Sequence, residues 1–460
     1  MSNSVTLREI QHPVKRILII GTGRSTAHLI QYLAQKAEAM DWFITLGDVN
    51  LELAKSRLIN DRMHAIFLDI SDLGHTEMQI QDSDIVVSML PAHMHFPVAR
   101  LCLKHRKHLV TASYLSDEMK TLHKEVELKG LTFLNEMGLD PGIDHLSAMK
   151  ALDEIRGQGG HISDFESFTG GLIAPGYDQN PWQYKFTWNP RNVVLAGQGG
   201  AVKFIQEGQY KYIPYHKIFR RTEIIDIPGY GKFEGVANRD SLKYRETYGL
   251  EDVKTMYRGT FRRPGFCKAW SCFVDLGATD DTYELDCENM TYRDFINTFL
   301  AYHPTDSVEL KLRQYLRIDQ DDVTLWEKLE WLGIFEKTPI GLNKATPAQI
   351  LQKLLEEKWK LKEGDIDMIV MWHKITYQKG KETRIKEMSL VSMGEDDNFT
   401  AMSKTVGLPL AMATELILNG TINRKGSILP VTPDIYEPVL ALLKKEGIEF
   451  TEKEVSISDQ

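Results

Sequence analysis

The feature that most constrains this fold is an apolar strand pattern that leads directly through a glycine turn into a helix pattern. The apolar run is 14–20, the turn starts at Gly21, and Leu29, Ile30 and Leu33 continue at helical spacing. Such a run is typical of a buried parallel strand, and the strand–turn–helix order begins a βαβ unit. The order predicts a parallel α/β sheet that carries a nucleotide-binding turn.

The residues of this turn have separate predicted roles. Gly21 allows the tight turn, and Gly23 lets the backbone approach a pyrophosphate at the positive end of the helix. Gly21, Gly23, Arg24 and Ser25 are therefore predicted to bind the cofactor. Thr26 stands where a third glycine is usual. That departure indicates either looser helix-to-strand packing or a shifted phosphate site.

An acidic residue follows the second predicted strand, 42–46, at Asp48. A carboxylate in this place accepts hydrogen bonds from ribose hydroxyls and repels a 2′-phosphate. Asp48 therefore predicts NAD as the preferred cofactor, with NADP possible. The alternative is an ordinary solvated aspartate at the start of a helix.

Four more strand patterns follow, each ending in polar or turn residues: 65–70, 84–91, 108–114 and 131–136. Open parallel sheets bind ligands at the carboxyl ends of their strands. Asp69 and Ile70 are therefore predicted to flank the adenine. Ser88, Leu90 and Pro91 are predicted to pass the nicotinamide. Six strands separated by helices predict a Rossmann-like, doubly wound parallel sheet.

The loop after the sixth strand contains two carboxylates, an imidazole and a Pro-Gly turn. Pro141 presets φ and Gly142 allows unusual backbone angles, which predicts that Asp140, Asp144 and His145 point into one cavity. Asp144 and His145 are the candidate general acid and base, since histidine titrates near neutrality and a buried aspartate approaches it. Alternatively, the two aspartates only cap the turn and the following helix.

Several stretches of the chain, in their order and spacing, resemble the glutamate-forming saccharopine dehydrogenases, also called saccharopine reductases. The resemblance runs from about residue 14 onward and is weakest across 290–360. The stretches that carry it are 88–91 with His95, 110–114, 135–145, 170–175 with 180–181, 184–188, 237–241 and 404–409.

This resemblance implies a reversible NAD(P)-dependent oxidation of saccharopine to L-glutamate and 2-aminoadipate 6-semialdehyde, in lysine metabolism. It implies that Asp144 and Arg239 touch the substrate. Thr169 falls where related enzymes often carry Cys. Because it lacks the thiol, it is predicted to contact the substrate without a chemical role. The other predicted substrate residues of these stretches are Ser113, Tyr114, Asp140, Gly170 and Asn238.

The chemistry of saccharopine adds a requirement for cations, because the molecule carries three carboxylates. Arginine binds carboxylates through a planar fork of donors. The candidates are Arg239, Arg191 and Lys185, the last in a predicted alternating strand, 184–188. For each of them the alternative is a solvated surface charge.

Two rival functions stay open. A carboxyspermidine-type dehydrogenase would perform the same chemistry on another secondary amine, and an acidic pocket would favour it. A non-catalytic NAD-binding sensor would bind the cofactor without turnover, which the departures at Thr26 and Thr169 would fit.

The pattern along the chain predicts three parts. The nucleotide domain comprises 1–145 with 395–460, including a helix at 401–419 in which Pro409 can cause a kink. A substrate-binding and dimerisation domain comprises 146–290 with 361–394. Its predicted strands include 164–168, 269–276 and a hairpin of 367–377 and 384–391. A helical insertion spans 291–360.

Composition excludes several classes of function. The net charge of −9, without a basic and aromatic stripe, argues against nucleic acid. No run approaches the ~18 apolar residues of a membrane helix. His93 and His95 lack further ligands at metal-like spacing, and the four cysteines form no CxxC motif, so no metal is expected. These features predict a cytoplasmic chain, and a homodimer is expected.

Overall fold

The structure is a computed structural model that describes residues 14–198 and 200–457. Its strands are β1 Lys15–Ile20, β2 Trp42–Asp48, β3 Met63–Phe67, β4 Ile85–Ser88, β5 His108–Thr111, β6 Thr132–Leu134, β7 His161–Ile173, β8 Val202–Gln206, β9 Gln209–Ile213, β10 Thr222–Ile227, β11 Gly231–Ala237, β12 Thr255–Arg262, β13 Leu285–Asp286, β14 Lys344–Ala345, β15 Asp367–Lys379, β16 Glu382–Met393, β17 Gly426–Ile428 and β18 Thr451–Ile457. Its helices are α1 Ala27–Ala37, α2 Leu51–Ser56, α3 Leu73–Gln81, α4 His95–His105, α5 Asp117–Thr121, α6 His123–Leu128, α7 Ile143–Gly157, α8 Pro190–Val194, α9 Phe266–Leu276, α10 Tyr292–Thr298, α11 Val308–Leu316, α12 Val323–Trp331, α13 Pro347–Lys358, α14 Ala401–Leu418 and α15 Pro433–Lys445.

The chain divides into two units. Unit 1 covers the chain up to Lys150 and returns for Ser403–Ile448, and unit 2 covers Ala151–Met402 and the chain from Glu449 onward. Two of the three divisions fall within α7 and α14, and the third falls between α15 and β18. The predicted nucleotide domain extended to 460, whereas β18 pairs with β16 and so belongs to unit 2.

Unit 1 is built on a seven-stranded parallel sheet with the order β17-β6-β5-β4-β1-β2-β3. β1 lies between β2 and β4, so the strand order reverses at the end of β1, where doubly wound sheets bind ligands. All six predicted strands are present. The seventh, β17, was not predicted, because three residues are too few to show a periodic pattern.

The parallel strands of unit 1 are apolar because helices cover both faces of such a sheet. Leu18, Val86, Leu109 and Phe133, which come from four adjacent strands, are buried in one core cluster. This core holds the carboxyl ends of β1, β4 and β5 as one rigid edge.

Unit 2 contains a nine-stranded mixed sheet in which β7 pairs in parallel with β12 and antiparallel with β15. The predicted hairpin is formed by β15 and β16. The predicted strand 269–276 is wrong, because this segment is part of α9, which lies between two left-handed glycines, Gly265 and Gly277. An apolar run of this length does not distinguish a buried strand from a buried helix.

The predicted helical insertion does form helices, α10 to α13. Their apolar side chains pack into the same core cluster as the nine-stranded sheet, for example Phe295, Leu329 and Leu355 with Phe168. The segment therefore completes the core of unit 2. Within the portion of the chain that the structure describes, no helix combines the length and apolar character that crossing a bilayer requires.

Candidate active site

The glycine turn after β1 has the geometry that a pyrophosphate site needs. Gly21 has a φ of +94°, and a β-carbon there would lie 3.0 Å from the Met89 carbonyl oxygen. Apart from Gly23 and its two chain neighbours, no atom of the described residues lies within 4 Å of the position that a β-carbon on Gly23 would take. The turn therefore leaves open space beside the exposed backbone, so Gly21, Gly23, Arg24 and Ser25 fit a dinucleotide phosphate.

Thr26 replaces the third glycine without loosening the turn. Its side chain is buried, and its hydroxyl donates to the Gly23 carbonyl oxygen at 2.7 Å. The close approach instead involves Gly407 on α14, where a β-carbon would lie 2.8 Å from the Leu29 nitrogen and 3.3 Å from the Ser25 carbonyl oxygen. Gly407 therefore lets α14 pack directly against the start of α1.

Asp48 at the end of β2 is bound to the glycine turn. Its Oδ2 accepts hydrogen bonds from the Thr22 amide at 2.7 Å and from the Thr22 hydroxyl at 2.8 Å. Its Oδ1 accepts from the Asn50 amide at 2.8 Å. A carboxylate has about four acceptor positions, so these three bonds leave room for a ribose hydroxyl.

The remaining predicted cofactor residues follow β3 and β4. Asp69 accepts a hydrogen bond from the Ser71 amide at 2.9 Å, and this bond holds the pKa of the Asp69 carboxyl below its usual value. Ser88 ends β4, and Leu90 and Pro91 follow it. The Met89 amide donates to the Ile20 carbonyl oxygen at 2.8 Å, which keeps this segment beside the glycine turn.

Hydroxyl groups surround a buried histidine, His95, at the ends of β4 and β5. The Ser88 hydroxyl lies 2.8 Å from His95 Nδ1, and the Ser113 hydroxyl lies 2.7 Å from His95 Nε2. The Thr111 hydroxyl lies 3.1 Å from the same Nε2. Burial lowers the pKa of His95 to about 4, so the imidazole is neutral near pH 7.

A second buried histidine, His145, lies between two carboxylates at the start of α7. Its Nε2 is 2.7 Å from Glu136 Oε2, and its Nδ1 is 3.8 Å from Asp144 Oδ2. Glu136, Asp144 and His145 are each at most 2% exposed. The predicted pair of Asp144 and His145 therefore belongs to a three-residue cluster.

The Pro-Gly turn folds this loop back on itself. Gly142 has a φ of +148°, and a β-carbon there would lie 1.9 Å from the Gly138 carbonyl oxygen, so only glycine fits. The Gly142 amide donates to Asp144 Oδ1 at 2.6 Å. Asp144 thus holds the turn, as its structural alternative expected, and also lies beside His145.

The segment of Ser113 and Tyr114 lies between the two histidine clusters. The Ser113 side chain contacts His95, while its carbonyl oxygen accepts from the Glu136 amide at 3.2 Å. The Tyr114 hydroxyl donates to Asp140 Oδ1 at 3.2 Å. The structure therefore brings Ser113, Tyr114 and Asp140 together within unit 1.

In unit 2, the predicted substrate residues Thr169 and Gly170 lie on β7. The Thr169 side chain is buried, and its hydroxyl has no hydrogen-bond partner among the residues that the structure describes. A β-carbon on Gly170 would lie 2.7 Å from Phe261 Cβ, so this glycine is required for sheet packing. Asn238 lies next to β11, and its amide donates to the Arg258 carbonyl oxygen at 3.0 Å.

The candidate cations of unit 2 differ in their partners. Lys185 donates to both oxygens of Asp365, at 2.6 and 2.7 Å, and the predicted strand around it is absent. Arg191 on α8 pairs with Asp281. Arg239 is exposed and has a φ of +52°. The charges of Lys185 and Arg191 therefore lie against carboxylates of unit 2.

Sequence reasoning missed the site residues Thr22, Glu136, His95 and Gly407. Glu136 had a usable signal, because it lies in the same loop as His145 and a buried imidazole needs a partner. His95 stood in a stretch that carries the family resemblance, but its contacts cross from one strand end to the next, so no partner could be predicted for it from the sequence.

Comparisons with known proteins agree along the whole chain. The family described as Saccharopine dehydrogenase NADP binding domain matches residues 17–134, and Saccharopine dehydrogenase C-terminal domain matches residues 138–448. A saccharopine dehydrogenase (NADP(+), L-glutamate-forming) of Schizosaccharomyces pombe is 32% identical over 95% of this chain and 98% of its own length. The protein of the same name from Saccharomyces cerevisiae is 31% identical over 96% of this chain and 100% of its own length.

A solved structure agrees with the fold. Apo saccharopine dehydrogenase (L-Glu forming) from Saccharomyces cerevisiae matches with a TM-score of 0.86 and 30% identity, over 96% of this chain and 100% of that chain. The two-unit architecture described above is therefore shared with a protein of that family.

The close approach at Gly407 makes a test of the cofactor site. Gly407→Ala would push α14 against the Leu29 amide, and overpacking of this kind costs about 1–3 kcal/mol. We expect the dissociation constant of the reduced nicotinamide dinucleotide, measured by fluorescence titration, to rise about tenfold. The control is Gly74→Ala, whose β-carbon would have no neighbour closer than 3.6 Å. Equal dissociation constants in the two variants would show that Gly407 does not support the glycine turn.

Proposed function

The chain belongs to the saccharopine dehydrogenase family, and from this membership we propose that it is an L-glutamate-forming saccharopine dehydrogenase. The reaction is the reversible, NAD(P)-dependent oxidation of saccharopine to L-glutamate and 2-aminoadipate 6-semialdehyde in lysine metabolism. The observation that carries the proposal within the structure is one sheet edge. There, the glycine turn after β1 lies beside β4, and β5 continues into Ser113 and Tyr114.

The chemical roles divide between the cofactor and the protein. When bound, the nicotinamide accepts a hydride from the carbon beside the secondary amine, and the resulting imine is hydrolysed. The protein must orient that carbon, remove the proton of the amine and assist the addition of water. We assign the proton transfers to Asp144 and His145, supported by their burial beside Glu136.

The cofactor assignment rests on the turn and on Asp48. Gly21, Gly23, Arg24 and Ser25 would hold the pyrophosphate, and Asp48 would accept from a ribose hydroxyl. Although the two fungal relatives are named for NADP(+), a carboxylate at Asp48 repels a 2′-phosphate. We therefore propose that this chain prefers NAD. The proposed adenine and nicotinamide contacts are Asp69, Ile70, Ser88, Leu90 and Pro91.

The substrate assignment places Ser113, Tyr114 and Asp140 in unit 1 and Thr169, Gly170 and Asn238 in unit 2. For a substrate carboxylate we propose Arg239 first, because the family resemblance assigns it a substrate contact. Lys185 and Arg191 face Asp365 and Asp281. Lys185 and Arg191 remain candidates for the other carboxylates. A homodimer in the cytoplasm completes the proposal. The cytoplasmic location rests on the four scattered cysteines, and the homodimer on the predicted dimerisation domain.

The decisive experiment is the initial rate of nicotinamide reduction with L-saccharopine, measured in parallel with NAD and NADP while glutamate release is followed. We expect turnover with one glutamate released per nicotinamide reduced, and a higher kcat/KM with NAD. Carboxyspermidine is the comparison substrate. Turnover of carboxyspermidine alone, or binding of the cofactor without turnover of either amine, would contradict the proposal and favour one of the two rival functions.

Asp48→Asn tests the cofactor preference. The substitution keeps an oxygen that can accept from Thr22 but removes the negative charge. We expect the ratio of kcat/KM for NADP to that for NAD to rise about tenfold or more, since opposing like charges costs several kcal/mol in specific interfaces. An equal loss of kcat/KM with both cofactors would assign Asp48 only to the structure of the turn.

Arg239→Ala tests the substrate assignment. If bound saccharopine covers the Arg239 guanidinium, the charge pair with the substrate carboxylate is buried, and losing one partner of such a pair costs about 2–5 kcal/mol. We therefore expect KM for saccharopine to rise at least 30-fold while cofactor affinity stays unchanged. The matched control is Arg317→Ala, which removes another exposed arginine with positive φ, at 54°. A KM within twofold of the parent value would place Arg239 outside the site.

A further inference from the structure

The hydroxyl cluster around His95 is not accounted for by the roles assigned so far. Only 4% of His95 is exposed, and the residue begins α4. Ser88 lies on one side of its ring and Ser113 on the other, each within 2.8 Å of a ring nitrogen. Both ring nitrogens are therefore engaged by side chains from two different strand ends.

The protonation state of the ring makes this chain of bonds directional. Burial and, to a smaller extent, the nearby His93 together lower the pKa of His95 to about 4. A neutral imidazole donates from one nitrogen and accepts at the other. The Ser88 and Ser113 hydroxyls are consequently held in one ordered chain, and the Thr111 hydroxyl supports it 3.1 Å from Nε2.

The two ends of this chain of hydrogen bonds lie in different parts of the proposed site, one at the cofactor and the other at the substrate. Ser88 pairs with Ile20, which immediately precedes the glycine turn. Ser113 immediately precedes Tyr114, whose hydroxyl donates to Asp140. The imidazole thus connects the strand that carries the nicotinamide side with the strand that carries the substrate side.

We propose that His95 is a positioning residue that holds the Ser88 and Ser113 hydroxyls in the register required for hydride transfer. The inference rests on the proposed function, since it assigns Ser88 to the cofactor and Ser113 to the substrate. His95 acts through these two hydroxyls. A misplacement of reacting groups by about 1 Å can lower a rate about 100-fold, which makes such a support kinetically important.

The test uses the full chain with His95→Ala, His95→Gln and the control His93→Ala, which removes an exposed histidine two residues away. We expect His95→Ala to lower kcat by about 10- to 100-fold while KM for saccharopine and the affinity for NADH stay within twofold. His95→Gln, which offers one donor and one acceptor, should retain more of kcat. His93→Ala should behave as the parent.

Chemical rescue separates positioning from filling of space. Imidazole added to His95→Ala should restore part of kcat, because both of its nitrogens can bond to the hydroxyls. 1-Methylimidazole also fills space, being larger by one methyl group, but as a neutral molecule it cannot donate. Equal rescue by both compounds, or a kcat of either His95 variant within twofold of the parent, would overturn the proposal.

The chain of hydrogen bonds also has a readout without a substrate. The parent protein and two variants are labelled with ¹⁵N-histidine and compared. Relative to the parent, Ser88→Ala should shift the ¹⁵N resonance of His95 Nδ1, and Ser113→Ala should shift that of Nε2. Failure of the parent to turn over saccharopine would reject the proposed function. In that case the NMR spectra still test the hydrogen bonds of His95. Shifts in both variants would support these bonds, and unchanged resonances would overturn them.

Discussion

The contact between Glu136 and His145 is the interaction on which the candidate site depends. Both side chains are buried, and Glu136 Oε2 lies 2.7 Å from His145 Nε2. The other oxygen, Oε1, accepts from the Leu115 amide at 2.8 Å. Leaving a buried donor or acceptor without its partner costs about 1–3 kcal/mol. This contact therefore fixes the end of β5 against the start of α7, and the Ser113–Tyr114 segment has little freedom to move.

The sequence predicted the fold where a local pattern repeats. The six strands of unit 1 and the hairpin of β15 and β16 were found, because apolar runs with turn residues between them are properties of the chain itself. The prediction for 269–276 failed because burial on all sides removes the periodicity that separates helix from strand. β18 escaped assignment to the second sheet because its pairing with β16 is a long-range contact.

The candidate site was predictable where the backbone requires one residue type, or where the polar residues lie close together in the sequence. Gly21 and Gly142 need positive φ, and Asp140, Asp144 and His145 share one short loop. The contacts of His95 join strand ends that no spacing rule connects, and the partners of Lys185 and Arg191 lie 180 and 90 residues away in the chain. A lysine or arginine that is predicted from the sequence to bind a ligand can therefore already form an ion pair within the protein.

Asp48 links the proposed cofactor preference to the structure of the glycine turn. Its carboxylate accepts two hydrogen bonds from Thr22 and one from Asn50, so most of its acceptor capacity serves the protein. In the proposed cofactor site, its charge would nevertheless face a 2′-phosphate. A change that admits the phosphate by removing the side chain also removes the bonds to Thr22, between the two glycines of the turn. Cofactor preference can therefore change without loss of the turn only where the substituted side chain still accepts from Thr22.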